Sequence, residues 1–203
     1  MDDFPLFVLD IVALPHEPVP LHVFEDRYRA MIERCLDKGL EFGIVWADER
    51  GERVTACACE VSQVLRRHDD GRLDILARGT RPLRIVERHD NLKWPAATVD
   101  FLADAPEEPD PDAAALAHEA YADLVRDATD SDPDPAALAE LDAYAMAATV
   151  DLAPDAKQGL LELRSENARL RLVSRLIVDA AERFEREQRA AERARTNGRV
   201  QRD

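Results

Sequence analysis

The chain has 203 residues, 27 Lys and Arg against 42 Asp and Glu, and a formal charge of −15. With 46% apolar and 34% charged residues it is globular in composition, and its acidic balance disfavours nucleic acid or an anionic membrane, which select basic surfaces. No apolar run approaches the ~20 residues of a spanning helix. The acidic start Met1-Asp2-Asp3-Phe4 and three cysteines outside any disulfide-like framework predict a cytoplasmic protein.

Along the first half, short apolar runs alternate with turn signals, which predicts β-structure. Phe4–Leu9 and Leu21–Phe24 are the first extended runs, bracketed by Pro15, Pro18 and Pro20. One helix follows: Tyr28, Met31, Ile32, Cys35 and Leu36 form a single apolar stripe, and Gly39 stands where a C-terminal cap belongs. Five further strands are predicted at Glu41–Trp46, Thr55–Leu65, Arg72–Arg78, Pro82–Arg88 and Ala96–Leu102. Asp69-Asp70-Gly71 reads as a hairpin, because glycine takes the positive φ such turns need.

A composition shift then divides the chain. Residues 1–103 carry a net charge of −5, residues 104–154 a net of −13, and residues 155–203 a net of +3. The acidic middle opens with Asp104-Ala-Pro-Glu-Glu-Pro-Asp-Pro-Asp112, whose prolines disfavour helix, so 104–112 reads as a solvated linker. Beyond it, through residues 113–203, the pattern is helical. Leu116, Ala120, Tyr121, Leu124 and Val125 form one stripe, and Leu138, Leu141, Ala145 and Ala148 another, begun by Asp134 as N-cap and Pro135. A short helix is predicted from Pro154 to Leu163, with Ala153 in the cap position. A long one starts at Ser165, with Leu170, Val173, Leu176, Ile177, Ala180 and Phe184 on one face, ending in an irregular stretch from Asn197 to Asp203. The expected domains are therefore 1–103 (β), 104–112 (linker) and 113–203 (helical bundle).

The common catalytic signatures are missing. No glycine precedes a lysine, so there is no Walker-type phosphate loop, and the seven glycines form no G-x-G-x-x-G. None of the four serines sits in G-x-S-x-G. The histidines at 16, 22, 68, 89 and 118 offer no H-x-x-x-H pair. Cys57 and Cys59 share a strand face and either join His68 at a metal or face a core as small apolar groups; a closed zinc site needs four ligands, which favours the core. Cys35 lies on the helix stripe as a core thiol. Trp46 and Trp94 are candidate peptide-contact aromatics or core residues.

One constellation is more specific. Phe4-Pro-Leu-Phe-Val-Leu9, then Val19-Pro-Leu-His-Val-Phe-Glu-Asp-Arg-Tyr-Arg-Ala-Met-Ile32, then Phe42-Gly-Ile-Val45, resembles the N-terminal substrate-binding domain of the Lon protease family. The middle segment is close to the family form P-L-x-[IV]-F-E-x-R-Y-x-x-[ML]. Asp70-Gly-Arg-Leu-Asp-Ile-Leu-Ala-Arg-Gly79 and Arg81-Pro-Leu-Arg-Ile85 resemble its later hairpin, although Pro82 and Leu83 stand where Arg and Phe are usual. Gln158-x-Leu-Leu-Glu162 and Arg169-Leu-x-x-Val173 are similar to its helical half.

The resemblance implies an α+β fold: a PUA-like mixed β-barrel or folded sheet with one inserted helix, then an α-helical bundle with a long last helix. The motif sets of a full Lon protease's ATPase and protease modules are not in this sequence, so the expectation is a stand-alone Lon-domain protein or a fragment. The family's motif residues here are Pro20, Leu21, Phe24, Glu25, Arg27, Tyr28, Met31, Gly43, Gly71 and Gly79, and their expected roles are mainly structural. Glu25 and Arg27 brace the start of the helix, Phe24 and Tyr28 pin strand to helix, and Gly43 and Gly79 permit close backbone approach. The expected function is non-catalytic binding of polypeptide segments or a partner protein, in a groove between barrel and bundle, with no catalytic residue, cofactor or metal. The alternatives are an RNA-binding PUA-like protein, for which Arg66, Arg67, Arg72, Arg78, Arg81, Arg84 and Arg88 supply cations, and a peptidase-associated adaptor.

Overall fold

The computed structural model describes residues 2–89 and 91–197; the expected irregular end, beyond Asn197, lies outside them. The strands are β1 (Phe4–Leu9), β2 (Pro18–Val23), β3 (Phe42–Asp48), β4 (Gly51–Glu52), β5 (Thr55–Arg67), β6 (Leu73–His89) and β7 (Ala96–Phe101). They form a mixed sheet in the order β1-β7-β6-β5-β3-β4, and β1 also pairs in parallel with β3, so five strands close into a barrel. Closure removes the unpaired edges that an open sheet would leave.

Where the sequence predicts two strands, 72–78 and 82–88, there is one of 17 residues. Its first part pairs with β2 and its last part with β7, while β5 runs along its other edge. Gly79 lies at the handover. Its N–H donates to the Glu17 carbonyl, and its own carbonyl accepts from His16. A Cβ at Gly79 would overlap the Leu14 carbonyl, so the chain stays extended there only because the residue is glycine. Gly43 is a milder case: a Cβ would stand 2.8 Å from Leu6 Cδ2.

Strand side chains alternate between two apolar clusters on opposite faces. Ala56 and Ala58 join Phe4, Leu6, Val45, Leu83 and Val99 on one face. Cys57 and Cys59 join the larger cluster on the other, which continues without a break into the helices. Both thiols are fully buried, as the core reading predicts. Trp46 is also a core residue, 6% exposed.

The helices are α1 (Asp26–Lys38), α2 (Pro111–Thr129), α3 (Pro135–Ala139), α4 (Ala143–Ala147), α5 (Pro154–Glu162) and α6 (Glu166–Asn197). In α1 the predicted stripe is buried except for the half-buried Leu36, and Gly39 takes the left-handed conformation of a C-cap. The later helices depart from the pattern in three ways. The stripe from Leu138 to Ala148 splits into α3 and α4, because Asp142 caps a new start by accepting from Ala145 N at 2.7 Å and Glu166 accepts from Ala143 N at 2.7 Å. In α2 the buried residues are Ala113 and Ala117, and Leu116 is 57% exposed, because a small-residue face meets α6. On α6, Leu170, Val173 and Ile177 are buried, but Phe184 is exposed, at the edge of a shallow concavity shared with Leu124 and Ala128 of α2.

Residues 104–110 have no regular secondary structure, and α2 begins at Pro111, inside the expected 104–112 linker, because Pro suits the first helical position. The carboxylates of Asp104, Glu107 and Asp110 are engaged. Glu107 accepts from Ser165 Oγ and Asn167 N at the start of α6, and Asp110 caps α2. Asp104 is gripped by Arg169, whose side chain is 4% exposed and which also binds Glu166 and the Leu163 carbonyl while lying 4.5 Å from the Tyr144 ring centre. These bonds hold the Asp104 carboxyl below the usual range, the Arg169 hydrogen bond contributing most.

Candidate functional site

The signature segment runs from β2 into α1, and the two elements treat its residues differently. On β2, Leu21 faces the core and Pro20 faces solvent, following the alternation of the strand. Met31 is fully buried and Tyr28 nearly so, its ring stacked on Phe7 with centroids 4.0 Å apart. Glu25 and Arg27 do brace the helix start: Arg27 Nε donates to Glu25 Oε2 at 3.0 Å. Phe24 is different. It is 60% exposed and stacks on His22 instead of pinning strand to helix, because the residue lies on the outward side where the chain turns into α1.

A cleft of about 590 Å³ opens beside this segment. Its walls come from β1 (Val8), the first turn of α1 (Arg27, Tyr28), β4 (Glu52), the end of β6 (Arg88, His89) and the connection into β7 (Leu92, Lys93, Trp94, Pro95). The concavity thus lies on the barrel itself, away from the junction with the helices where the sequence places a groove.

Arg27 and Arg34 stand seven positions apart on α1, close to two full turns, so both face the same side. Arg27 lies over the Tyr28 ring at 4.5 Å, and Arg34 lies 5.8 Å from the Trp94 ring centre. Trp94 is half-buried; its indole N–H is shielded from solvent and has no hydrogen-bond partner among the described residues. Arg27, Arg88 and Lys93 make the lining basic, although the chain is strongly acidic overall. Part of that charge is balanced: Glu25 pairs with Arg27, Glu52 pairs with Arg88, and Asp3 accepts from His89 at 2.7 Å. Chemically, the cleft offers an aromatic and aliphatic wall beside cationic donors, the arrangement that suits an apolar side chain next to a carboxylate.

Of the predicted site residues, Arg27, Tyr28 and Trp94 come together here; Trp46 does not, since it is in the core with the Arg53 guanidinium 4.4 Å over its ring. Gly71 and Gly79 lie in the β5–β6 hairpin and mid-β6, and have no part in the cleft. Sequence reasoning misses Lys93, Leu92 and Pro95, which sit in a short connection without periodicity. The arginine series along the hairpins is largely spent on acids: Arg67 on Glu33, Arg72 on Asp70, Arg78 on Glu60, Arg81 on Glu41 and Arg88 on Glu52. No helix among the described residues is long and apolar enough to cross a membrane.

A family model described as the ATP-dependent protease La (LON) substrate-binding domain matches residues 3–179. Among solved structures, a Lon N-terminal domain protein from Xanthomonas campestris shares 24% identity over 84% of this chain and 95% of its own, with a TM-score of 0.64. The N-terminal domain of the Mycobacterium avium complex Lon protease shares 22% identity over 87% of this chain and 98% of its own, with a TM-score of 0.61.

Proposed function

Because the chain belongs to the Lon substrate-binding domain family, we propose that it is a non-catalytic module that captures exposed polypeptide segments in the cleft beside α1. The observation that carries this reading is the meeting of motif residues Arg27 and Tyr28 with Trp94, which lies far away in sequence, around one basic and partly apolar concavity. An apolar client side chain packs on Trp94, Leu92 and Pro95. A neighbouring acidic side chain or a chain-terminal carboxylate meets Arg27 and Lys93, and charge-assisted hydrogen bonds fix its orientation. Tyr28, held between Phe7 and Arg27, is the rigid floor.

The nucleic-acid reading is not adopted. Five hairpin arginines already pair with carboxylates, so a phosphate backbone would have to displace them, and the net charge opposes its approach.

The test is a peptide array and fluorescence anisotropy with unfolded model proteins. Retention of peptides carrying an apolar residue beside an acid or a C-terminal carboxylate is expected, weakened at least tenfold by Trp94→Ala and by Arg27→Glu. Retention by both variants as strong as by the unsubstituted chain, or no retention above a scrambled control, rejects the cleft. Salt-dependent binding of single-stranded RNA would instead favour the nucleic-acid reading.

A further inference from the structure

A second cluster lies on the barrel, outside the cleft. In the β2–β6 ladder His22 is directly opposite Asp74, which brings their side chains together on one face. His68 arrives from the other side. It follows the end of β5 and is fixed by the hairpin closure, in which its N–H donates to the Arg72 carbonyl. The two imidazoles converge on one carboxylate: His22 Nδ1 is 2.5 Å from Asp74 Oδ1, and His68 Nε2 is 2.8 Å from Asp74 Oδ2. The three donor atoms lie within 4.8 Å of one another.

We propose that His22, His68 and Asp74 form a binding site for a borderline divalent transition-metal ion such as Zn²⁺. The donor set, two imidazole nitrogens and a carboxylate oxygen, is the kind such ions select, and three protein ligands leave a coordination position for water. Tetrahedral ligands at ~2.0 Å from the metal are about 3.3 Å apart. Reaching that spacing from the present one takes rotation of side chains, with the His22 and Asp74 backbone set by strand register and that of His68 by the hairpin closure. Access is graded: the side chains of His68, Asp74 and His22 are 19%, 32% and 45% exposed, so an ion enters from the His22 side. Phe24 stacks on the His22 ring, centroids 5.9 Å apart. Of the other charged groups on the hairpin, Asp70 pairs with Arg72 and Arg67 with Glu33. Cys57 and Cys59 take no part: they are in the core, nine or more positions back along β5, on the order of 30 Å at ~3.3 Å per residue.

Calorimetric titration of untagged full-length chain with Zn²⁺ and with Co²⁺ tests the assignment. One equivalent binds saturably, the melting temperature rises with metal, and His22→Ala and His68→Ala each weaken binding at least tenfold. Substoichiometric Co²⁺ broadens the ring proton resonances of His22 and His68 in the unsubstituted chain before those of His16, His89 and His118, a readout independent of whether any variant folds. Absence of one-equivalent binding, an unchanged affinity in both variants, broadening elsewhere first, or a thiolate-to-cobalt charge-transfer band would each overturn it.

Discussion

Arg169 ties the acidic connecting segment to the helical half of the molecule, and replacing it measures that joint. Its guanidinium makes a two-pronged contact with Asp104, donates to Glu166 at 2.9 Å and to the Leu163 carbonyl at 3.0 Å, and covers Tyr144. Arg169→Met keeps most of the stem packing but leaves two carboxylates without their cation and one carbonyl without its donor. Breaking a buried ion pair from one side costs about 3–5 kcal/mol. Here the acids are partly open, Asp104 40% and Glu166 31% exposed, so water relieves part of the penalty and the expected loss is about 3 kcal/mol. With a urea slope of about 2 kcal/mol/M, the midpoint falls by roughly 1.5 M, followed by far-UV circular dichroism at pH 7. Asp104→Asn in the Arg169→Met background should then cost much less than it does alone, because the pair is already broken. A loss below about 1 kcal/mol, or strictly additive single and double variants, would refute the role given to this arginine.

Acid should loosen the same joint. The Asp104 carboxyl is held below its ordinary range by Arg169, so its contribution is fully present above the unfolded carboxylate pKa of about 3.9 and is lost as pH falls through the lower folded value. The midpoint in urea should drop between pH 5 and 3, and less steeply in Arg169→Met; parallel curves would contradict this. Gly79→Ala drives a Cβ into the Leu14 carbonyl and should destabilise by about 3 kcal/mol or leave no folded protein, whereas Gly159→Ala, whose Cβ meets only Leu172 at 3.9 Å, should change little. Burial pushes the Cys35 thiol up to about 11, and Cys57 and Cys59 are fully covered, so Ellman's reagent should react with none of the three until the chain unfolds. Prompt release of one equivalent from native protein would show that a thiol is accessible.

Much of this molecule is legible from local chemistry. The stripe from Tyr28 to Leu36 with Gly39 behind it, the turn at Asp70-Gly71 and the Asp134-Pro135 helix start all operate within a few residues. Each is therefore decided by φ preference, capping and periodicity, which the sequence carries directly. The signature from Pro20 to Met31 belongs to the same class, since it is written in consecutive residues.

Tertiary structure decided what depends on elements far apart in the chain. Leu14 must approach Gly79 before β6 can be recognised as one strand rather than two. Glu166 must meet the Ala143 N–H, beside the local Asp142 cap, before one predicted helix becomes two. The engagement of the acidic 104–112 segment needs Arg169 and the start of α6, neither visible in its composition. The same holds for both sites: Arg27 and Trp94, or His22, His68 and Asp74, stand in different parts of the chain, and only the folding of strands, helix and connections onto one another brings them within reach. Periodicity states which face of an element is apolar; it carries no information on which distant element will cover that face, because that choice is made by the packing of the whole chain.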